Sequence, residues 1–152
     1  MEKLVKMVGR FEKMDINEVI ETTFDNDPVN TTALNLNRSQ MDSGIDAKGR
    51  KMRTYKSVYP DVYAQYTIAI KQMTGQPHDR VTLKDTGSFH KKLELKSFPG
   101  HAAIIGDTKK SDGDIMDNID VNEALGLTPE NINKLRPTLV NEMTKQIRVN
   151  IL

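Results

Sequence analysis

The sequence predicts an α+β fold, a small antiparallel β-sheet packed against N-terminal and C-terminal helices. Three observations carry that expectation. Apolar residues recur at three- and four-residue spacing near both ends of the chain. Between them lie short segments in which apolar and polar residues alternate with period two. Clusters of Gly, Pro, Asp and Asn separate the segments. The 152 residues suit a single domain with a modest core. We divide it into an N-terminal helical extension (1–32), a helix-plus-sheet core (33–110) and a loop with a C-terminal helix (111–152).

The first helix is predicted in "MEKLVKMVGRF", where Leu4, Val5, Val8 and Phe11 fall at helical spacing and Gly9 weakens the pattern. "DINEVIETTF" opens with Asp15 three residues before Glu18, a capping arrangement, and carries Ile16, Val19, Ile20 and Phe24. Pro28 and its Asx neighbours predict a break over Asp25–Asn30. A polar helix follows in "TTALNLNRSQM", with Leu34 and Met41 on one face. "DSGIDAKGRKM" reads as a loop. Pro60 predicts the start of a helix bearing Tyr63, Tyr66, Ile70 and Met73 and ending at Gly75.

Val81 and Leu83 alternate with Thr82 and Lys84, as Leu93 and Leu95 do with Lys92, Glu94 and Lys96. "HAAIIGDT" supplies a third apolar run. The pattern predicts strands near 80–86, 89–97 and 101–107 in an antiparallel meander, with "KDTG" as the corner between the first two. "KKSDGDIMDN" is predicted as an exposed loop. Thr128 and Pro129 are the N-cap and first residue of a last helix whose apolar face is Ile132, Leu135, Leu139, Met143 and Ile147. Pro137 is expected to kink or break it near 133–137.

Composition narrows the function. Lys+Arg total 22 against 21 Asp+Glu, without the basic excess usual in a dedicated nucleic-acid binder. There is no cysteine, which excludes disulfides, thiolate nucleophiles and cysteine zinc sites. No apolar run approaches the roughly 20 residues that span a bilayer. "MEKLVKMVGRFEKMD" lacks the continuous apolar core of a signal peptide, so we expect a soluble chain made in the cytoplasm, with no membrane partner.

Several stretches superficially suggest chemistry. "DSGIDAKG" has two aspartates four apart, but Ser43 and Ile45 occupy the wrong places for a calcium loop, and position twelve from Asp42 is Arg53 rather than glutamate. His78, His90 and His101 lack a metal-binding spacing. Asp85-Thr86-Gly87 matches the aspartic-protease triplet, a chemistry that needs two such aspartates sharing a proton. A homodimer would supply the second, yet Lys84 and "SFHKK" flank the triplet where an apolar strand is expected. We read it as a turn. Arg50, Lys51, Arg53 and Lys56 form the densest basic stretch, with Tyr55 among them, suited to phosphate or to an acidic partner. Neither a catalytic constellation nor a cofactor or small-molecule site is expected.

Four motifs in order carry a resemblance. A helix runs into G-x-D-x-x-G in "MDSGIDAKGRKM"; then come L-x-D-T-G-x-F in "VTLKDTGSFHKKLEL", an "IIGDT" strand and a G-L-T-x-E-N cap in "ALGLTPENINKLRP". Across about residues 33–140 this order resembles phage virion-morphogenesis proteins of the tail-completion and head–tail joining type. Two features depart from that family's pattern. Met52 and Tyr55 are the nearest candidates for an aromatic after the second loop glycine, and "KKSDGD" stands where H-x-x-G is usual.

The resemblance implies a non-enzymatic structural subunit of a tailed bacteriophage. It would form a homo-oligomeric ring in the neck or tail, assembled in the bacterial host cytoplasm beside portal, neck or tail proteins. Contact with DNA would be incidental. We expect Phe89, Leu93, Leu95, Phe98, Leu139 and Met143 at the subunit interface, with the hairpin tip at Phe98 and Pro99 facing a neighbour. The alternative is a phage nucleic-acid-binding or assembly protein absent from the mature virion.

Overall fold

A computed structural model describes residues 1–54, 63–110, 113–117, 119 and 121–152. The chain is α+β. It opens with α1 (Glu2–Glu12), α2 (Ile16–Asp25) and α3 (Asp27–Asp42), followed by α4 (Gln65–Met73). A short α5 (Ser88–Lys91) leads into a hairpin of β1 (Glu94–Phe98) and β2 (His101–Ile105). A minimal ribbon, β3 (Lys109–Lys110) with β4 (Gly113–Asp114), precedes α6 (Val121–Ala124) and the long α7 (Pro129–Ile151).

The caps form where the sequence places them. Asp15 accepts from the Asn17 amide to start α2. Thr128 accepts from Asn131 to start α7, with Pro129 in the first turn. The break before α3 is a single residue, Asn26, because Pro28 needs no amide partner in a first turn. The helix therefore begins at Asp27, earlier than the polar run suggested. Gly75 ends α4 with φ 66°, but Tyr63 and Ala64 precede that helix, and Pro60 lies outside the described residues.

Three expectations are corrected. Residues 80–86 form no strand. Their alternation does not produce two faces: Val81, Thr82 and Leu83 are all buried, and Leu83 turns the backbone with φ 55°. "DTG" is then not a hairpin corner. Gly87, at φ 81°, opens α5, and the meander reduces to the β1–β2 hairpin, with Glu94 paired to Ile105 and Phe98 to His101. "KKSDGDIMDN" contributes β3, β4 and the buried Ile115, so it is not simply an exposed loop. Finally, α7 runs through Pro137 without a break, which corrects the break and not the kink. The proline deprives the Asn133 carbonyl of its helical donor, and both residues are exposed, where water can replace it.

The main core gathers Leu34 and Met41 of α3 with Met52, Tyr63, Val81, Leu83, Phe89, Leu93, Ile115, Ile119 and Ala124. A smaller one joins Val29 and Ala33 to Leu135 of α7. Half-buried Leu95 packs against both. The polar look of α3 has a structural use, since Asn37 and Gln40 lie on its buried stripe. Asn37 donates to the Ala124 and Gly126 carbonyls at 3.1 and 2.8 Å. Gln40 donates to Gly126 and accepts from the Thr128 amide at 3.0 Å. Two side chains thus hold the "ALGLT" turn that aims α7.

Candidate functional site

The loop between α3 and Met52 is organised by one carboxylate. Asp46 accepts from the Lys48 amide at 2.9 Å, the Arg50 amide at 2.8 Å and Arg50 Nε at 2.9 Å. Its side chain is only 4% exposed. Burial raises the Asp46 pKa, but the bonds from Arg50 and Lys48 outweigh it and hold the carboxyl below its ordinary value. Arg50 continues to Glu123, whose other carboxylate oxygen takes Lys48 at 3.0 Å. The most prominent residue of the basic stretch is therefore engaged within the chain. Lys51 is exposed and pairs by its backbone with Ile45, and Arg53 is also exposed. Lys56 lies outside the described residues.

Among the described residues no strand pairs with the segment 81–85, and side chains satisfy part of its backbone. The Thr82 amide donates to the Tyr63 hydroxyl at 2.8 Å. His90 Nε2 meets the Thr82 carbonyl at 2.8 Å; a carbonyl only accepts, so Nε2 carries the proton. Lys71 Nζ donates to the Lys84 carbonyl at 2.5 Å and to Gln76 Oε1 at 2.9 Å, and stands 4.6 Å over the Tyr63 ring. Gln76 donates to the Asp85 carbonyl at 2.7 Å. Burial pushes the pKa of both Lys71 and His90 down. The Asp85 carboxylate faces solvent and pairs with Lys110 at 3.2 Å. In this arrangement Asp85-Thr86-Gly87 is a joint between a buried segment and α5.

Above Lys71 lies a cleft of 320 Å³. One wall is the α4 face with Tyr66, Thr67 and Ile70; the other is Leu83, Lys84 and Asp85, with Lys110 at the rim. Among the described residues no three His, Asp or Glu side chains gather closely enough to hold a metal ion. Of the histidines, His90 is buried, His101 stacks on Phe98 at 5.0 Å between ring centres, and His78 is half-buried.

The expected interface separates into two groups. Phe89 and Leu93 are each 3% exposed and belong to the main core, so they present no surface. Phe89 sits on the short α5 and Leu93 two residues beyond its end, and both side chains pack into the main core. Leu95, Leu139 and Met143 are half-buried, Leu95 and Leu139 against the smaller core. Phe98, at the hairpin tip, is 39% exposed. The larger unpartnered apolar surfaces lie elsewhere. No residue of α1 is buried, and Leu4, Val5, Val8 and Phe11 are 50–68% exposed. On α4, Tyr66, Ile70 and Met73 are exposed. The signal was present in the sequence as helical apolar spacing, but periodicity alone does not say what a face meets. No family model, curated protein or solved structure matches the chain. Among the described residues no helix is long and apolar enough to cross a membrane.

Proposed function

We propose that this chain is a structural subunit of a tailed bacteriophage, a ring-forming component of the neck or tail-completion assembly with no catalytic role. One observation carries the reading. Two separate helices, α1 and α4, hold apolar stripes in water. Apolar helix faces normally lie against a core or a partner. Two distinct faces on one subunit suit a head-to-tail contact, which generates a ring when the rotation between neighbours closes.

The motifs behind the phage resemblance agree with a scaffold role. Asp46 ties its loop, Gly87 opens α5 and Thr128 caps α7. Each fixes the backbone, and the apolar stripes lie outside all of them. Phe98 at the hairpin tip adds a further exposed contact point.

Quantitative peptide mass spectrometry on gradient-purified virions of the source phage tests this. A fixed low copy number, about six or twelve per particle, is expected for a ring. Absence of the chain from mature particles would overturn the reading in favour of a factor acting only during infection.

A further inference from the structure

We infer that the α4 cleft receives α1 of a second copy of this chain. The inference rests on the ring reading above and names its contact.

The two faces match in length and spacing. Leu4, Val8 and Phe11 follow one another at i, i+4 and i+7, as do Tyr66, Ile70 and Met73. Leu4, Val8 and Phe11 are 64%, 50% and 54% exposed; Tyr66, Ile70 and Met73 are 78%, 42% and 87% exposed. The cleft beside the α4 stripe is walled by Tyr63, Leu83, Ile115 and Ile119, apolar surface that an inserted side chain would cover.

The charges also match. On α1, Lys6 and Arg10 lie on the face opposite the apolar stripe, whereas Glu12 lies one turn beyond Val8. The Glu12 carboxylate has no partner among the described residues. Lys84 and Lys110 line the cleft, paired at the partly exposed surface with Asp42 at 3.5 Å and with Asp85, which also lines it, at 3.2 Å. An acid at the edge of an apolar stripe would thus add a second carboxylate to cations that each hold one at the surface of an apolar cleft. An α1–α1 pairing would instead bring two copies of the same charged helix together.

The contact is small. Three apolar side chains at roughly 100 Å² apiece give well under half of the ~800 Å² per partner of a standard interface. It is therefore a weak contact singly, and ring closure, with both faces of every subunit occupied, would make it stable.

The absence of native cysteine allows a direct test. Chains carrying Glu12→Cys and chains carrying Lys110→Cys are mixed and oxidised mildly, while the mass of the unmodified protein is followed over a concentration series. An interchain disulfide between the two variants is expected, in excess over either self-pair and lost when Val8→Lys or Tyr66→Lys is added. Those last two positions are exposed, and circular dichroism of each variant checks that it folds. Efficient Glu12→Cys self-pairing would overturn the proposal by placing α1 against α1. An unmodified ring that survives both lysine substitutions, with no mixed disulfide, would remove this contact and leave the ring. A monomer at every concentration, with no disulfide, would remove both. Flotation of the monomer with anionic vesicles would assign the α1 face to a membrane surface and likewise overturn the proposal.

Discussion

Replacing Asp46 with alanine should cost more stability than any other single charge removal in the loop. The carboxylate accepts two backbone amides, Lys48 and Arg50, and the Arg50 side chain. Hydrogen bonds to a charged group contribute about 1.5–3 kcal/mol each. Arg50 is 52% exposed, so its ionic share is largely screened and the two amide bonds dominate. Water recovers part of that loss in a surface loop, leaving an expected penalty of about 3 kcal/mol. For a chain of this length, that lowers the melting temperature by roughly 6–12 °C. Asp46→Asn keeps one acceptor oxygen and should lose about half as much. Urea unfolding followed by circular dichroism reads this as a fall in midpoint at unchanged slope. The pH dependence gives a second check. The folded pKa is lowered, so the stabilisation is complete above the unfolded value near 3.8 and is lost as pH falls through the folded pKa. A penalty under about 0.5 kcal/mol, or one that shrinks already at pH 6, would refute the assignment of Asp46 as the organiser of the loop.

Other substitutions test neighbouring parts of the argument. His90 is held neutral by burial, so the unfolded chain binds its proton first, and stability should fall as pH drops below about 6.5. His90→Gln, which cannot titrate, should flatten thermal stability between pH 7 and 5; an unchanged slope counts against the buried neutral imidazole. Gly106→Ala would place a Cβ 2.8 Å from the Phe89 ring and 3.0 Å from Leu93, and should destabilise by about 1–3 kcal/mol in a urea titration. Gly9→Ala meets nothing within 4 Å in the interior of α1 and should have the opposite sign, stabilising by about 0.5–1 kcal/mol. Equal effects of the two glycine changes would mean that packing around Gly106 is looser than the geometry states.

The parts of the fold legible in the sequence are those set by local chemistry. Asp15 and Thr128 mark helix starts because a side-chain oxygen one turn from a free amide acts wherever it occurs. Gly75 and Gly87 mark turns for the same local reason. Long-range partners decided the rest. Val81-Thr82-Leu83 alternates like a strand, yet among the described residues no strand pairs with it, and Tyr63, Lys71 and His90 supply bonds from elsewhere in the chain. Glu142 is 6% exposed on the buried side of α7, paired with Lys145 at 2.5 Å; a run that reads as apolar periodicity hides a buried acid. The candidate assembly surface divided in the same way. Phe98 stayed at the surface, while Phe89 on α5, a four-residue helix that no apolar period announces, and Leu93 just beyond it belong to the core.

Lys71 shows why a cation can take the place of a strand. An extended backbone leaves amides and carbonyls that need partners once water is excluded. Leu83, at φ 55°, carries about 1–2 kcal/mol of strain and sits next to the carbonyl of Lys84 that Lys71 holds. Methionine matches the length of the lysine stem but offers no donor. Lys71→Met would strip the Lys84 carbonyl and Gln76 Oε1 of that donor, costing about 1–3 kcal/mol near neutral pH, while relieving the burial of a charge. The two effects separate by pH. Burial lowers the folded pKa of Lys71, so the fold favours its charged form less than water does, and the unmodified chain should gain stability as pH rises toward the unfolded value near 10.5. Lys71→Met should lack that gain. Parallel stability curves for the two chains from pH 7 to 10 would show that the amine is solvated and that something other than Lys71 holds the 81–85 segment in place.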